Sequence, residues 1–127
     1  IFDESTKFYV YKPAQQNAGN HDANSWQFHY NKMKLDLNKL VGEFDIALVS
    51  CGGFGMILCD YIFTELKKSA MYIGGPLQLY FGIIGNRWRH HPVISKLFND
   101  NWITVMDQDK PPGLIKNATL CENSCYW

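Results

Sequence analysis

The stretch that decides the fold is Asp45-Ile-Ala-Leu-Val-Ser-Cys-Gly-Gly-Phe-Gly55, followed after a helical segment by Ala70-Met-Tyr-Ile-Gly-Gly75. The run from Ile46 to Val49 is continuously apolar, which is typical of a strand covered by helices on both faces. Each strand ends in a glycine turn. Because a strand–helix–strand crossover is right-handed and returns the chain in the same direction, the pattern predicts two parallel strands. Both glycine turns should then leave the sheet at a common open edge, where α/β sheets bind ligands.

Helical periodicity predicts the two longer helices. Ser25 is the expected N-cap of the first, and Gly42 is its expected end. The apolar face of this helix is Trp26, Tyr30, Met33, Leu37 and Leu40. The second helix is predicted from about residue 54 to residue 68. Its inward face is Leu58, Tyr61, Ile62 and Leu66.

The remaining elements are shorter. The apolar run 8–11 is rich in β-formers and is stopped by Pro13, so it is predicted as a strand. Pro76 is suited to the first position of a short helix ending near Phe81. Residues 92–99 are predicted as a small amphipathic helix, and 102–106 as an edge strand or an extended tail.

Bulk composition narrows the function classes. The chain has 127 residues and a formal net charge of zero, which argues for one small domain without a broad nucleic-acid-binding face. No segment has the length and hydrophobicity of a transmembrane helix. The expected fold class is α/β, a Rossmann-like three-layer unit with a small, mostly parallel sheet. Because three strands make a thin sheet, residues 1–127 are expected to be one domain that is part of a larger one.

The first candidate site is the glycine turn formed by Gly52, Gly53 and Gly55. Glycine allows backbone N–H groups to approach a phosphate, and the N-terminus of the following helix adds partial positive charge. The turn lacks the full Gly-x-Gly-x-x-Gly pattern and a Walker lysine. A purely structural strand–helix turn is an equally good interpretation.

Further candidates follow the second strand. Gly74, Gly75 and Gln78 could line a sugar or base, although Gln78 could equally face solvent. Arg87 and Trp88 offer a guanidinium for a diphosphate and a ring for stacking, unless they are simply a surface arginine packed on a structural tryptophan. No catalytic base and no metal ligand can be assigned.

The four cysteines fall into two pairs. Cys51 and Cys59 belong to the strand–helix unit, and are predicted to be buried and reduced. Cys121 and Cys125 have the spacing of half a zinc site, but no second pair completes it. A disulfide between them is the alternative in an oxidising compartment. Asn117 begins a short glycosylation sequon.

Four blocks resemble a largely uncharacterised family of bacteria, algae and large DNA viruses that is distantly similar to GT-D type glycosyltransferases. The blocks are Gln16-Asn-Ala-Gly-Asn20 with Trp26, the stretch 44–55, Gly74-Gly-Pro-Leu-Gln78 continuing through Phe81-Gly-Ile83 to Gly85-Asn-Arg-Trp88, and Cys125-Tyr-Trp127. They span nearly the whole chain in the family's order. By this resemblance, the chain is expected to be the C-terminal half of such a protein.

The resemblance implies a Rossmann-like domain that binds a nucleotide-sugar donor and a glycan acceptor for surface glycan synthesis. It places the protein in the cytoplasm, or in a host cytoplasm or virion if the source is viral, with a homo-oligomer as an option. The acidic Asp-x-Glu motif of GT-D enzymes is absent, since Asp3 and Glu4 are adjacent. Mn²⁺ or Mg²⁺ would therefore be held by residues outside this chain.

Two alternatives to this enzyme remain. The first is a non-catalytic structural or virion-associated module that retains the fold for binding. The second is another Rossmann-type enzyme, such as a nucleotide-dependent transferase or a methyltransferase. A dinucleotide enzyme is disfavoured because Tyr72 and Ile73 occupy the region where an acidic ribose-binding residue is expected.

Overall fold

A computed structural model describes residues 2–16 and 21–110. They form two compact units of mixed α/β structure, each with a parallel two-stranded sheet and helices between the strands. The described residues of unit 1 are 2–14 and 23–77. Those of unit 2 are 15, 16, 21, 22 and 78–110.

Unit 1 contains the predicted strand–helix–strand motif. Helix α1 (Trp26–Leu40) precedes strand β1 (Ile46–Val49), a 3₁₀ turn (Gly52–Phe54), helix α2 (Gly55–Thr64) and strand β2 (Ser69–Tyr72). β1 and β2 are parallel, in a register that pairs Ile46 with Ser69 and Val49 with Tyr72. This confirms the parallel pairing predicted from the apolar run and the crossover.

The core of unit 1 lies where both helices pack with one face of the sheet. Its buried apolar residues are Met33, Leu37, Val49, Leu58 and Ile62. The Ser25 side chain accepts a hydrogen bond from the Phe28 N–H at 3.2 Å, which confirms the predicted N-cap of α1. α1 ends at Leu40, two residues before Gly42. Trp26 is exposed in the first turn of α1, whereas His29 is buried with Met33 and Leu37.

Two strand expectations are wrong. Ile46 is 63% exposed and Met71 is 59% exposed, so the sheet face that carries them is not buried as the apolar run suggested. Residues 8–11 form no strand in the described chain, and Phe8, Tyr9 and Val10 are exposed. β-forming side chains alone do not make a strand where no neighbouring strand pairs with them.

Unit 2 is built from shorter elements. Helix α3 (Leu77–Tyr80) begins at the boundary between the units and is followed by strand β3 (Ile83–Ile84) and helix α4 (Asn86–Arg89). A 3₁₀ turn (Ile94–Leu97), strand β4 (Ile103–Thr104) and a second 3₁₀ turn (Asp107–Asp109) complete it.

β3 and β4 are parallel and pair Ile83 with Ile103. For residues 102–106, predicted as an edge strand or an extended tail, the structure has a strand of only two residues, β4. The helix predicted over 92–99 shrinks to the 3₁₀ turn Ile94–Leu97. β3 has no counterpart among the predicted elements. Among the helices of the described residues, none has the length and apolar character needed to span a membrane.

Candidate functional site

The C-terminal edge of the β1–β2 sheet carries both glycine turns of unit 1. The carbonyl oxygen of Val49, the last residue of β1, accepts hydrogen bonds from the N–H groups of Ile73 at 3.0 Å and Gly74 at 3.2 Å. This pairing holds the chain that leaves β2 beside the chain that leaves β1. The turn after β1 and the turn after β2 therefore emerge at the same edge, as the parallel arrangement requires.

The backbone of the Gly52–Gly53 turn changes handedness between its two glycines. Gly52 has a φ of +53°, while Gly53, within the same 3₁₀ turn, has a negative φ. Successive residues of opposite handedness are typical of the anion-binding turns known as nests. The turn leads directly into α2, whose N-terminus adds partial positive charge.

The hydrogen bonds within this turn come from the N–H groups at its C-terminal end. The Phe54 N–H donates to the Cys51 carbonyl at 3.2 Å, and the Gly55 N–H donates to the Gly52 carbonyl. Among the described residues, the N–H groups of Gly52 and Gly53 donate to no acceptor. These two donors are the ones that a phosphate oxygen could take.

Tyr72 is a side chain at this edge that the sequence argument did not select. Its ring edge lies directly against Gly55, so closely that a Cβ added at Gly55 would overlap the ring. The phenol oxygen lies 3.4 Å from the Gly52 carbonyl oxygen and 3.6 Å from the position of a Cβ on Gly74. Tyr72 thus contacts three of the predicted ligand-binding glycines, and it is itself 41% exposed.

The structure gives different reasons for glycine at these positions. Gly52 and Gly74 have φ values of +53° and +67°, which side chains rarely adopt. Gly55 leaves room for the Tyr72 ring. At Gly53 neither reason applies, because its φ is negative and a Cβ there would have no atom within 4 Å. Neither a positive φ nor packing therefore requires glycine at position 53, where the backbone adjoins open space.

The two thiols beside the turn have raised pKa values. Cys51 and Cys59 are free, and they are only partly buried against the core, where full burial was predicted. Burial, and secondarily the neighbouring Cys59, raises the pKa of Cys51 to about 11. Burial also raises the pKa of Cys59. Because the thiolate is the nucleophilic form, neither cysteine is suited to nucleophilic catalysis at neutral pH.

The other predicted site residues, Gln78, Arg87 and Trp88, belong to unit 2. The Gln78 side-chain amide donates to the Ile83 carbonyl at 3.3 Å and so ties α3 to β3. The Arg87 guanidinium lies 6.0 Å from the centre of the Trp88 ring. The indole N–H of Trp88 is buried without a hydrogen-bond partner in the described structure. The guanidinium and the ring lie close together, which fits both the ligand-binding interpretation and that of a surface arginine beside a structural tryptophan.

Carboxylates offer little for a metal in the described part of the chain. Across residues 2–16 and 21–110, His, Cys, Asp and Glu side chains form no group of three that could hold a metal ion. Asp107 and Asp109 form a carboxylate pair that was not predicted as a metal site, although their i, i+2 spacing is visible in the sequence. Asp107 accepts from the Lys110 ammonium at 2.7 Å, and Asp109 accepts from the Met106 N–H at 3.1 Å. Each carboxylate thus accepts a hydrogen bond from within its own turn.

Several predicted features lie outside the described residues: Asn17–Asn20 of the first block, the Asn117 sequon, Cys121, and Cys125 to Trp127. Comparisons with models of known protein families, with curated proteins and with solved structures find no significant match to this chain. The resemblance to the glycosyltransferase-like family therefore rests on the sequence motifs and stays a prediction.

Proposed function

We propose that this chain is a Rossmann-like domain that binds a nucleotide-sugar donor, as part of a glycosyltransferase-like protein of surface glycan synthesis. The observation that carries the proposal is the Gly52–Gly53 turn. It combines opposite backbone handedness, two N–H groups without an acceptor in the described chain, and a helix N-terminus directly behind them. Phosphate is the ligand group that such backbone sites hold best.

In this proposal the donor's phosphates lie against Gly52 and Gly53, where open space adjoins the backbone. Negative charge grows on the departing nucleoside diphosphate as the sugar is transferred. Fixed N–H dipoles and the α2 N-terminus would stabilise that charge without having to reorganise. Gly74 and Gly75 follow β2 at the same sheet edge and would border the ligand. Arg87 with Trp88 is a separate candidate in unit 2 for a phosphate or a sugar face.

The three-layer Rossmann arrangement within a larger domain is part of the same proposal. It is supported by the parallel β1–β2 pair and by the exposed Ile46 and Met71, which suit a face that further structure covers. A divalent metal, Mn²⁺ or Mg²⁺, would come through residues beyond this chain.

A specific observation favours a second candidate function. The sequence contains no Asp-x-Glu motif, which leaves the chain without the acidic residues expected to hold a catalytic metal. A non-catalytic module that binds the same ligand through the same turn fits this composition. The two functions share binding and differ in turnover, so one set of experiments can separate them.

The test is calorimetric titration of the chain with UDP-, GDP- and dTDP-sugars, each with Mn²⁺ and with Mg²⁺. The matching nucleosides without phosphates serve as ligand controls. We expect the phosphorylated compounds to bind and the nucleosides to bind far more weakly. Binding with transfer of sugar to water or to an acceptor supports the enzyme, and binding without turnover supports the module. Failure of the whole panel to bind rejects both.

A further inference from the structure

Charge is unevenly distributed along this neutral chain. Between Glu65 and Asp100 the sequence contains no acidic residue. The same stretch contains five basic residues: Lys67, Lys68, Arg87, Arg89 and Lys96. The compensating acidic residues lie elsewhere, so the zero net charge conceals a strongly basic region. Such a region attracts anionic surfaces even when the whole protein is neutral.

Three of these charges fall in one short part of unit 2, residues 86–98, called here the basic segment. Its two halves, α4 and the 3₁₀ turn Ile94–Leu97, are joined around His91. The His91 ring lies 6.1 Å from that of Trp88, and its Nδ1 accepts from the N–H groups of Val93 and Ile94 at 3.3 and 3.2 Å. The His91 carbonyl accepts from the N–H and hydroxyl of Ser95. These hydrogen bonds and the ring contact connect the two halves of the basic segment.

The basic segment also exposes aliphatic side chains beside its charges. Val93 is 63% exposed and Leu97 is 62% exposed, while Arg89 and Lys96 are exposed as well. Exposed cations interleaved with exposed aliphatic groups match a bilayer interface, where phosphate headgroups lie above the beginning of the acyl chains. Nucleic acid is the weaker match, because bases are held largely by aromatic stacking, whereas the large apolar side chains that this segment exposes are the aliphatic Val93 and Leu97.

We propose that the basic segment docks the protein onto the surface of an anionic lipid bilayer. Arg89 and Lys96 contact the headgroup phosphates, and Val93 and Leu97 enter the interface beside them. Attachment is peripheral and salt-sensitive, because it depends on a few surface charges and a small aliphatic area.

The experiment is co-sedimentation of the full chain with vesicles of phosphatidylcholine alone and of phosphatidylcholine mixed with phosphatidylserine. We expect binding to the anionic vesicles only, weakening as salt is raised. Arg89→Ala/Lys96→Ala removes both charges. It should lower the partition coefficient about 25-fold, because each basic residue contributes a factor of about five. Val93→Ser/Leu97→Ser keeps every charge and should lower it about tenfold.

The matched control is Lys7→Ala/Lys32→Ala, which removes two exposed lysines from unit 1 and should leave vesicle binding nearly unchanged. Circular dichroism of each variant verifies that it is folded. Failure of the wild-type chain to bind anionic vesicles overturns the proposal. An equal loss in the control pair also overturns it, because the attraction would then be general. Tighter binding to a single-stranded DNA oligonucleotide than to the vesicles would replace the lipid surface with nucleic acid.

Discussion

Substituting Gly55 by alanine tests the packing at the sheet edge most severely. Gly55 begins α2 and is buried, and a Cβ there would meet the Tyr72 ring, with the ring Cζ still only 3.1 Å away. The ring must therefore leave its position. Forcing an extra methyl group into packed structure costs about 1–3 kcal/mol.

The burial of Tyr72 sets an upper limit on this cost. The side chain is 41% exposed, so about three-fifths of a surface of roughly 200 Å² is buried. At about 25 cal/mol per Å², complete expulsion of the ring would cost about 3 kcal/mol. Alanine is favoured over glycine in a helix by up to about 1 kcal/mol, which offsets part of the loss. We expect Gly55→Ala to lower the free energy of unfolding by about 1–2 kcal/mol.

The same substitution should change sign when the ring is absent. In a Tyr72→Ala background, Gly55→Ala should raise the free energy of unfolding by about 0.5–1 kcal/mol, because only the backbone effect remains. Urea unfolding of all four proteins, followed by circular dichroism, completes the double-mutant cycle. We expect a coupling free energy of about 2 kcal/mol. An additive cycle, within about 0.5 kcal/mol, would refute the contact between Gly55 and Tyr72.

Three further predictions concern stability. Ser25→Ala should lower the free energy of unfolding by about 1 kcal/mol by removing the N-cap of α1, whereas Ser25→Asp should not; equal losses in urea unfolding would contradict the cap. Lys67→Gly should raise the free energy of unfolding by about 1 kcal/mol, since Lys67 has a φ of 56°. Lys67→Ala relieves no backbone strain, so in this control the free energy of unfolding should not rise. Burial raises the pKa of Cys51 in the folded chain to about 11, against an ordinary 9.0. The contribution of this thiol to the free energy of unfolding is therefore fully present below pH 9 and is lost as the pH rises through 11. The slope of urea stability against pH in this window should be smaller in Cys51→Ser, and an unchanged slope would contradict the thiol's contribution.

The local signals in the sequence were sufficient for the strand–helix–strand motif. An unbroken apolar run, a glycine turn and helical periodicity within 46–72 each depend on neighbouring residues only, and β1, α2 and β2 follow them. The prediction at 8–11 was wrong because a strand also needs a partner, which β-propensity does not report. β3 has only two residues and is too short for any periodic pattern.

The side chains missed by the sequence argument depend on distant contacts. His29 is buried because it precedes Met33 and Leu37 by steps of four, a signal that was present but hidden by counting only apolar residues. Tyr72 meets Gly55 across 17 positions of sequence, which no local pattern records. The glycines themselves were predictable as a turn. Their separate reasons, a positive φ at Gly52, ring packing at Gly55 and open space at Gly53, required coordinates.

The central claim, that the Gly52–Gly53 turn takes a phosphate, is tested most directly by titrating Gly53→Ala with the tightest-binding nucleotide-sugar. Gly42→Ala is the matched control, because a Cβ at either position meets no atom within 4 Å and neither glycine has a positive φ. Both variants should keep the wild-type free energy of unfolding within about 0.5 kcal/mol. We predict that Gly53→Ala weakens binding about tenfold or more, the loss of about 1.4 kcal/mol expected when a hydrogen bond to a charged group is obstructed, while Gly42→Ala binds as wild type. Wild-type affinity in Gly53→Ala would contradict the claim.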